Sequence, residues 1–313
     1  MIRMSHPRND TPSIFWKTTP IGYGYNNRKS EPFVASGFYY HHQWGVTEQD
    51  MAEDLPDPAP YLITNKHVVQ PSDYPQPDSV IAYTRNPDDV QETVRHHIDL
   101  YKSDGEPKWR DHPENENIDI VLIPLSFEIR EAAMFHRANI VSEPASVSGG
   151  DLAEVVGYPA EMRNFHRLPI LRQALISSSY QVSFYDSPYF VIDARLHDGM
   201  SGSPVVYTPS MVDIEAEEID LDPDWDTVES VRVEGTTERK HTSLLGVHSG
   251  ERLEFDDDIS MQDIESDLLS RDSNPGLKDF LRELEDRLEN IERETGLNRV
   301  WHAKYIDEII RNR

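Results

Sequence analysis

Three short stretches of this 313-residue chain carry side chains suited to acyl-transfer chemistry. Tyr61-Leu62-Ile63-Thr64-Asn65-Lys66-His67-Val68-Val69 is an apolar run ending in a polar turn that presents His67. Asn117-Ile118-Asp119-Ile120-Val121-Leu122-Ile123-Pro124-Leu125 sets Asp119 at the mouth of a strongly apolar run. Asp198-Gly199-Met200-Ser201-Gly202-Ser203-Pro204-Val205-Val206 holds Ser201 in a glycine-flanked turn ahead of another. A serine hydroxyl is a poor nucleophile near neutral pH and needs a base to take its proton, a task that suits His67. The imidazole in turn needs its second nitrogen held in the right tautomer and a counter-charge once protonated, which Asp119 would supply. Glycines on both sides of Ser201 permit a tight turn that aims the N–H groups of Gly199 and Ser201 at one point, where a tetrahedral oxyanion would form.

The order His, Asp, Ser and the flanking residues resemble the trypsin-like, chymotrypsin-fold serine proteases over roughly residues 33–250. Thr64-Asn65-Lys66-His67-Val68-Val69 is similar to the histidine motif of the bacterial housekeeping and glutamyl endopeptidase branches. Ile118-Asp119-Ile120-Val121-Leu122 resembles the aspartate motif, and Gly199-Met200-Ser201-Gly202-Ser203-Pro204 the serine signature. The separations of 52 and 82 residues leave room for the end of one barrel and most of a second. Ala35-Ser36-Gly37-Phe38 and Val156-Gly157-Tyr158-Pro159 are supporting fragments. The resemblance implies two six-stranded antiparallel β-barrels, a His67, Asp119, Ser201 triad, an oxyanion hole from Gly199 and Ser201, and no cofactor or metal. Met200 stands where the family usually has Asp or Asn, which argues against activation by a freshly cleaved N-terminus.

Ser243-Leu244-Leu245-Gly246-Val247-His248-Ser249-Gly250 resembles the strand lining the family's specificity pocket. The resemblance places Ser249 on the triad aspartate and His248 where glutamyl endopeptidases carry a pocket histidine, and Gly250 follows on the same strand. Arg195 aligns with the pocket floor, and a guanidinium aimed at a carboxylate is a strong pair. Together they suggest cleavage after Glu or Asp, with Gln the runner-up. Arg195 could instead point to solvent or pair with Asp193 or Asp198, and His248 could merely pack. His41-His42 and His96-His97 are adjacent pairs whose side chains point to opposite faces of a strand and cannot easily share a metal. His112, His136, His166 and His197 have no ligand partners at recognisable spacing.

These residues need strands to hold them, and the chain from about residue 14 to 207 reads as short β segments punctuated by Pro, Gly, Asp and Asn. Candidate strands cover 33–40, 61–64, 79–84, 120–125, 153–156, 176–184 and 189–194. Residues 54–60 and 104–117 read as surface loops. The period then changes to 3.6: Leu277, Phe280, Leu281, Leu284, Leu288 and Ile291 mark one helix, ended by Gly296, and Val300, Trp301, Tyr305, Ile309 and Ile310 mark another. The expected organisation is an N-terminal extension (1–30), a first barrel (31–135), a second barrel (136–255) with an acidic insertion (209–242), and a helical tail (256–313). The chain is mainly β in this reading.

Charge narrows the partners. Fifty-seven Asp and Glu against 30 Lys and Arg leave −27, so nucleic acid and anionic membrane are disfavoured, since phosphate contacts need clustered cations. Eight of the 30 cations are lysines, leaving 22 arginines, a bias that suggests a high-salt proteome. At molar salt the Debye length is ~3 Å, and dense carboxylates cease to repel one another. The absence of cysteine excludes disulfides and a Cys nucleophile. With no long apolar run, the expected setting is cytoplasmic and the expected partner a protein or peptide substrate, with self-association or docking through the C-terminal helices. The alternative function is a latent or catalytically silent protease-fold module that binds through its acidic insertion and helical tail.

Overall fold

The structure, a computed structural model of the chain, describes residues 14–25, 33–42, 60–72, 74–86, 89–141, 144–160, 167–184, 187–207, 242–250 and 296–311. A short helical turn, α1 (Ile14–Lys17), leads into the first sheet. Its strands are β1 (Thr18–Gly24), β2 (Phe33–His41), β3 (Tyr61–Thr64), β4 (Ser79–Asn86), β5 (Asp89–Asp99), β6 (Val121–Pro124) and β7 (Phe135–His136). They run in the order β5-β4-β1-β2-β3-β6, with β7 added in parallel to β2. Arg110 and Leu122 exchange both backbone hydrogen bonds at 2.9 Å, so the segment after β5 reaches β6 and brings the sheet's ends together.

The second unit closes fully. Strands β8 (Leu152–Gly157), β9 (Ile170–Ile176), β10 (Tyr189–Asp193), β11 (Pro204–Tyr207), β12 (Ser243–Ser249) and β13 (Leu297–His302) form an antiparallel barrel in the order β10-β13-β12-β11-β8-β9. Helix α3 (Lys304–Arg311) follows it, and a helical turn here named α2 (Lys66–Val69) follows β3 in the first sheet. This mainly β architecture is consistent with the two-barrel fold that the resemblance implies.

The apolar pattern divides into three cores. Tyr39, Leu62, Val80, Val121 and Ile123 fill the first unit, and Val155, Ile176, Phe190, Val205 and Val300 the second. A third cluster runs between them, joining Phe38, Ile63 and Phe135 to Val191, Val247, Trp301, Ile306 and Ile309. All four residues of β3 are buried because its two faces belong to different cores, which explains why it reads as an unbroken apolar run.

Two strands lie outside the expected barrels. β1 falls in the segment expected to be an extension; its sequence, with Pro20, Gly22 and Gly24, argues against a central strand. The pairing resolves this, since β1 pairs with β2 over Thr18–Gly22 and with β4 only from Gly22 onward, so the N–H that Pro20 lacks is not needed on the β4 side. β13 corrects the expected helical stripe. Val300 and Trp301 look like helical neighbours, but on a strand they face opposite sides, Val300 into the barrel core and Trp301 into the seam. Helical character begins only at Lys304. The strand expected at 176–184 is displaced: β9 ends at Ile176, and Tyr180 beyond it packs inward with its hydroxyl donating to the Leu245 carbonyl at 3.0 Å. The first C-terminal helical stripe and nearly all of the acidic insertion lie outside the described residues.

α3 is anchored on the first sheet through a buried polar cluster. The Tyr40 hydroxyl donates to Asp307 Oδ1 at 2.7 Å, His42 Nδ1 lies 3.2 Å from the same oxygen, and Arg137 Nε lies 3.3 Å from Oδ2. Burial pushes the Asp307 carboxyl up, but the bonds from His42 and Tyr40 outweigh it and the net direction is downward. His302, wedged against Tyr180, Phe190 and Tyr305, is pushed down from 6.5 to about 4 by burial, aided by Lys304. Its folded-state value lies below its unfolded one, so the unfolded chain takes up this proton first as the pH falls. The stability it contributes is complete above about 6.5 and is lost towards about 4, on the order of 3 kcal/mol in all. His302→Phe should therefore flatten the fall of the unfolding midpoint between pH 7 and pH 4, measured by circular dichroism.

Candidate active site

His67 sits on α2, immediately after the polar turn that ends β3, and its ring is one-third exposed. Asp119 precedes β6, the strand paired with β3, so strand pairing brings the two motifs side by side. Asp119 Oδ2 lies 2.8 Å from His67 Nδ1, and Oδ1 accepts the His67 backbone N–H at 3.0 Å. A carboxylate only accepts, so Nδ1 carries a proton, and in the neutral ring Nε2 then keeps its lone pair. Asn65 braces the arrangement, donating from Nδ2 to the Asp119 carbonyl at 2.7 Å. Asp119 itself is 7% exposed, and a buried carboxylate needs donors in place of water. Ser249 provides one more, its hydroxyl donating to Oδ2 at 3.0 Å.

Ser249 belongs to β12 of the second barrel, and through it the nucleophile motif joins the site. Gly250 faces the Ser201 hydroxyl so closely that a Cβ at position 250 would overlap Oγ. The Gly202 N–H donates to the His248 carbonyl at 2.9 Å, fastening the turn to the same strand. Met200 N donates to the His197 carbonyl at 3.1 Å, and Gly199 and Gly202 both adopt left-handed φ, +89° and +82°. A Cβ at Gly202 would overlap the Ser36 carbonyl and the Thr64 hydroxyl, and one at Gly199 would lie 2.7 Å from Ala160 N. Both glycines are thus required twice, by conformation and by space. The Asp198 carbonyl accepts from Ala160 N at 2.8 Å, and among the described residues the N–H groups of Gly199 and Ser201 have no backbone acceptor.

The expected pocket residues differ in exposure. His248 is buried beneath the turn, its Nδ1 2.9 Å from the Met200 carbonyl and Nε2 3.4 Å from Asn298 Oδ1, and burial lowers its pKa. Arg195 is exposed, and among the described residues no ion pair joins it to Asp193 or Asp198. His197 Nε2 accepts from the Arg172 guanidinium at 2.8 Å. Asn65, Asn298 and Ser36 escaped the sequence reading. Asn65 had a signal in its place beside His67, whereas Asn298 reaches the site only through β13 pairing.

The other histidines have local partners. His96 bonds Thr84 and stacks on Phe127, His112 meets Glu308, and His136 caps a turn at Asn139. Among the described residues no group of three His, Cys, Asp or Glu could hold a metal, and no helix is long and apolar enough to cross a membrane.

Comparison with known families agrees with this geometry. The model of the trypsin-like peptidase domain matches residues 35–209, more than half of the chain and the whole span from β2 to the end of β11. This chain belongs to the trypsin-like peptidase family. Membership supports a protease-type hydrolase acting on protein or peptide substrates. Among solved structures, human heparin binding protein is similar at 13% identity and a TM-score of 0.39, over 63% of this chain and 78% of that one. A comparison with curated proteins returns no match. For this peptidase domain, the double requirement at Gly202 predicts that Gly202→Ala lowers stability by about 3 kcal/mol or more, measured by denaturant unfolding.

Proposed function

We propose that this chain is a serine endopeptidase that hydrolyses peptide bonds through an acyl-enzyme intermediate. His67 Nε2 takes the Ser201 Oγ proton as the hydroxyl attacks the carbonyl carbon, and Asp119 holds the ring and balances the imidazolium. The developing oxyanion is received by the N–H groups of Gly199 and Ser201. His67 then passes its proton to the leaving amine, and water repeats the sequence on the ester. The observation that carries this assignment is the buried Asp119 carboxylate, bonded to His67 from one side and to Ser249 from the other, with Gly250 against the nucleophile.

Labelling by an active-site fluorophosphonate, scanned from low to molar salt because of the −27 charge, tests it. Labelling should vanish in Ser201→Ala, and Asp119→Asn should lower kcat by ~10⁴-fold. A folded wild-type chain that stays unlabelled at every salt concentration would sink the proposal. The alternative of a silent binding module has no observation in its favour among the described residues.

Cleavage after Glu or Asp, with Gln second, forms part of the proposal and rests on His248, with exposed Arg195 as a second cation. His248 Nδ1 faces the Met200 carbonyl and Nε2 faces Asn298 Oδ1, both acceptors, so a neutral ring has one proton for two partners. Only the protonated ring has a second N–H for a substrate carboxylate to take over from Asn298. Burial lowers the histidine's pKa, so the protonated ring gains weight only below its ordinary 6.5. The Glu-over-Gln ratio of kcat/KM should therefore rise as the pH falls, and His248→Ala should abolish that dependence; paired peptide substrates measured from pH 8 to pH 5 check both.

A further inference from the structure

Ser36, on β2 and fully buried, makes four hydrogen bonds, two of them to the nucleophile turn. Its N–H donates to the Ser201 carbonyl at 2.8 Å, and its carbonyl accepts from the Thr64 hydroxyl at 2.9 Å. Its hydroxyl donates to the Gly199 carbonyl at 2.8 Å and accepts the Tyr158 N–H at 2.9 Å. A carbonyl only accepts and an amide N–H only donates, so the direction of both side-chain bonds is forced and the hydroxyl's single proton is committed to Gly199.

The Ser36 hydroxyl holds the peptide plane that links the two oxyanion N–H groups, and other residues hold the planes on either side of it. The plane between Asp198 and Gly199 is held at its carbonyl by Ala160 N, which turns the Gly199 N–H to the opposite side of the trans peptide. The plane between Gly199 and Met200 is held at one end by the Ser36 hydroxyl and at the other by the Met200 N–H on His197. Space enforces the same register: a Cβ at Gly157 would lie 2.9 Å from Ser36 Oγ, and one at Gly202 would overlap the Ser36 carbonyl. Ser36 also joins the first sheet to the turn, since Gly199, Ser201 and Tyr158 belong to the second barrel's side of the seam.

We infer that Ser36 is a positioning residue whose hydroxyl holds the Gly199 to Ser201 turn in its oxyanion-binding form before substrate arrives. This rests on the serine endopeptidase assignment for its catalytic consequence, but its structural consequence is separately measurable. Ser36→Ala leaves the Gly199 carbonyl and the Tyr158 N–H without their shared partner, and the turn gains an alternative orientation of the peptide plane after Gly199.

The test compares the full-length chain with Ser36→Ala and with Ser178→Ala, a control in which Ser178 Oγ accepts the Val191 N–H at 2.8 Å elsewhere in the second barrel. Amide exchange of the peptide covering residues 197–203 should accelerate at least ~10-fold in Ser36→Ala and stay at the wild-type rate in Ser178→Ala. In Ser36→Ala, kcat and the phosphonate labelling rate should fall ~10- to 100-fold with KM within about threefold, less than the 10²- to 10³-fold loss of a whole oxyanion donor. Ser36→Cys, which keeps a weak donor, should lie between; it replaces the alanine variant if that one does not fold. Exchange and kcat indistinguishable from those of Ser178→Ala would overturn the assignment. A wild-type chain that is neither labelled nor active defeats the endopeptidase reading alone, while the exchange comparison still decides the role of Ser36.

Discussion

The seam between the two β units is organised around one buried charge. Asp119 has lost nearly all contact with water, and leaving such a carboxylate without partners costs about 3–5 kcal/mol. Its donors come from both sides, His67 from the first unit and Ser249 from the second. Satisfying the charge and assembling the site are thus the same event. The bond that compensates for burial at Oδ2 also sets the His67 tautomer, and the strand that supplies Ser249 brings Gly250 against Ser201.

Around that charge the seam is mostly apolar, and the chain returns to it at its C-terminal end. β13 completes the second barrel, then α3 crosses to the first sheet and places Ile306 and Ile309 in the cluster that holds Phe38 and Ile63. Asp307 fastens the crossing through Tyr40, His42 and Arg137. Non-directional burial brings the halves together, and the directional bonds of Asp307, Asp119 and Ser36 set their alignment. Close packing explains why glycines recur at the turn. Where Ser36 and Thr64 approach Gly202, even one methyl group has no place to go.

The candidate catalytic motifs were legible because each is local: a histidine just past an apolar strand, an aspartate just before one, a serine between glycines. Such spacing fixes which side chains a strand end can present, and the structure places His67 and Asp119 in contact as the spacing implied. The strands that were misjudged are those whose character comes from neighbours. β1 contains proline and two glycines and is a strand because β2 and β4 flank it. β13 carries Val300 and Trp301 in an order that suits a helix equally well, and its register with β10 and β12 decides between the two. The bonds of Asn298 and Ser36 were illegible for the same reason, since their partners lie far away in the chain.

By itself, then, the sequence determined the two-barrel class, the order of the three catalytic motifs, the acidic surface charge and the exclusion of cysteine chemistry, because these depend on composition and on residues within a few positions of one another. Tertiary structure decided the rest. It closed the second barrel with β13, left Arg195 on the surface, buried His248 between Met200 and Asn298, and placed the Ser36 hydroxyl on the Gly199 carbonyl 163 residues away. Those outcomes turn on hydrogen-bond partners and free volume, and both exist only once distant segments have packed.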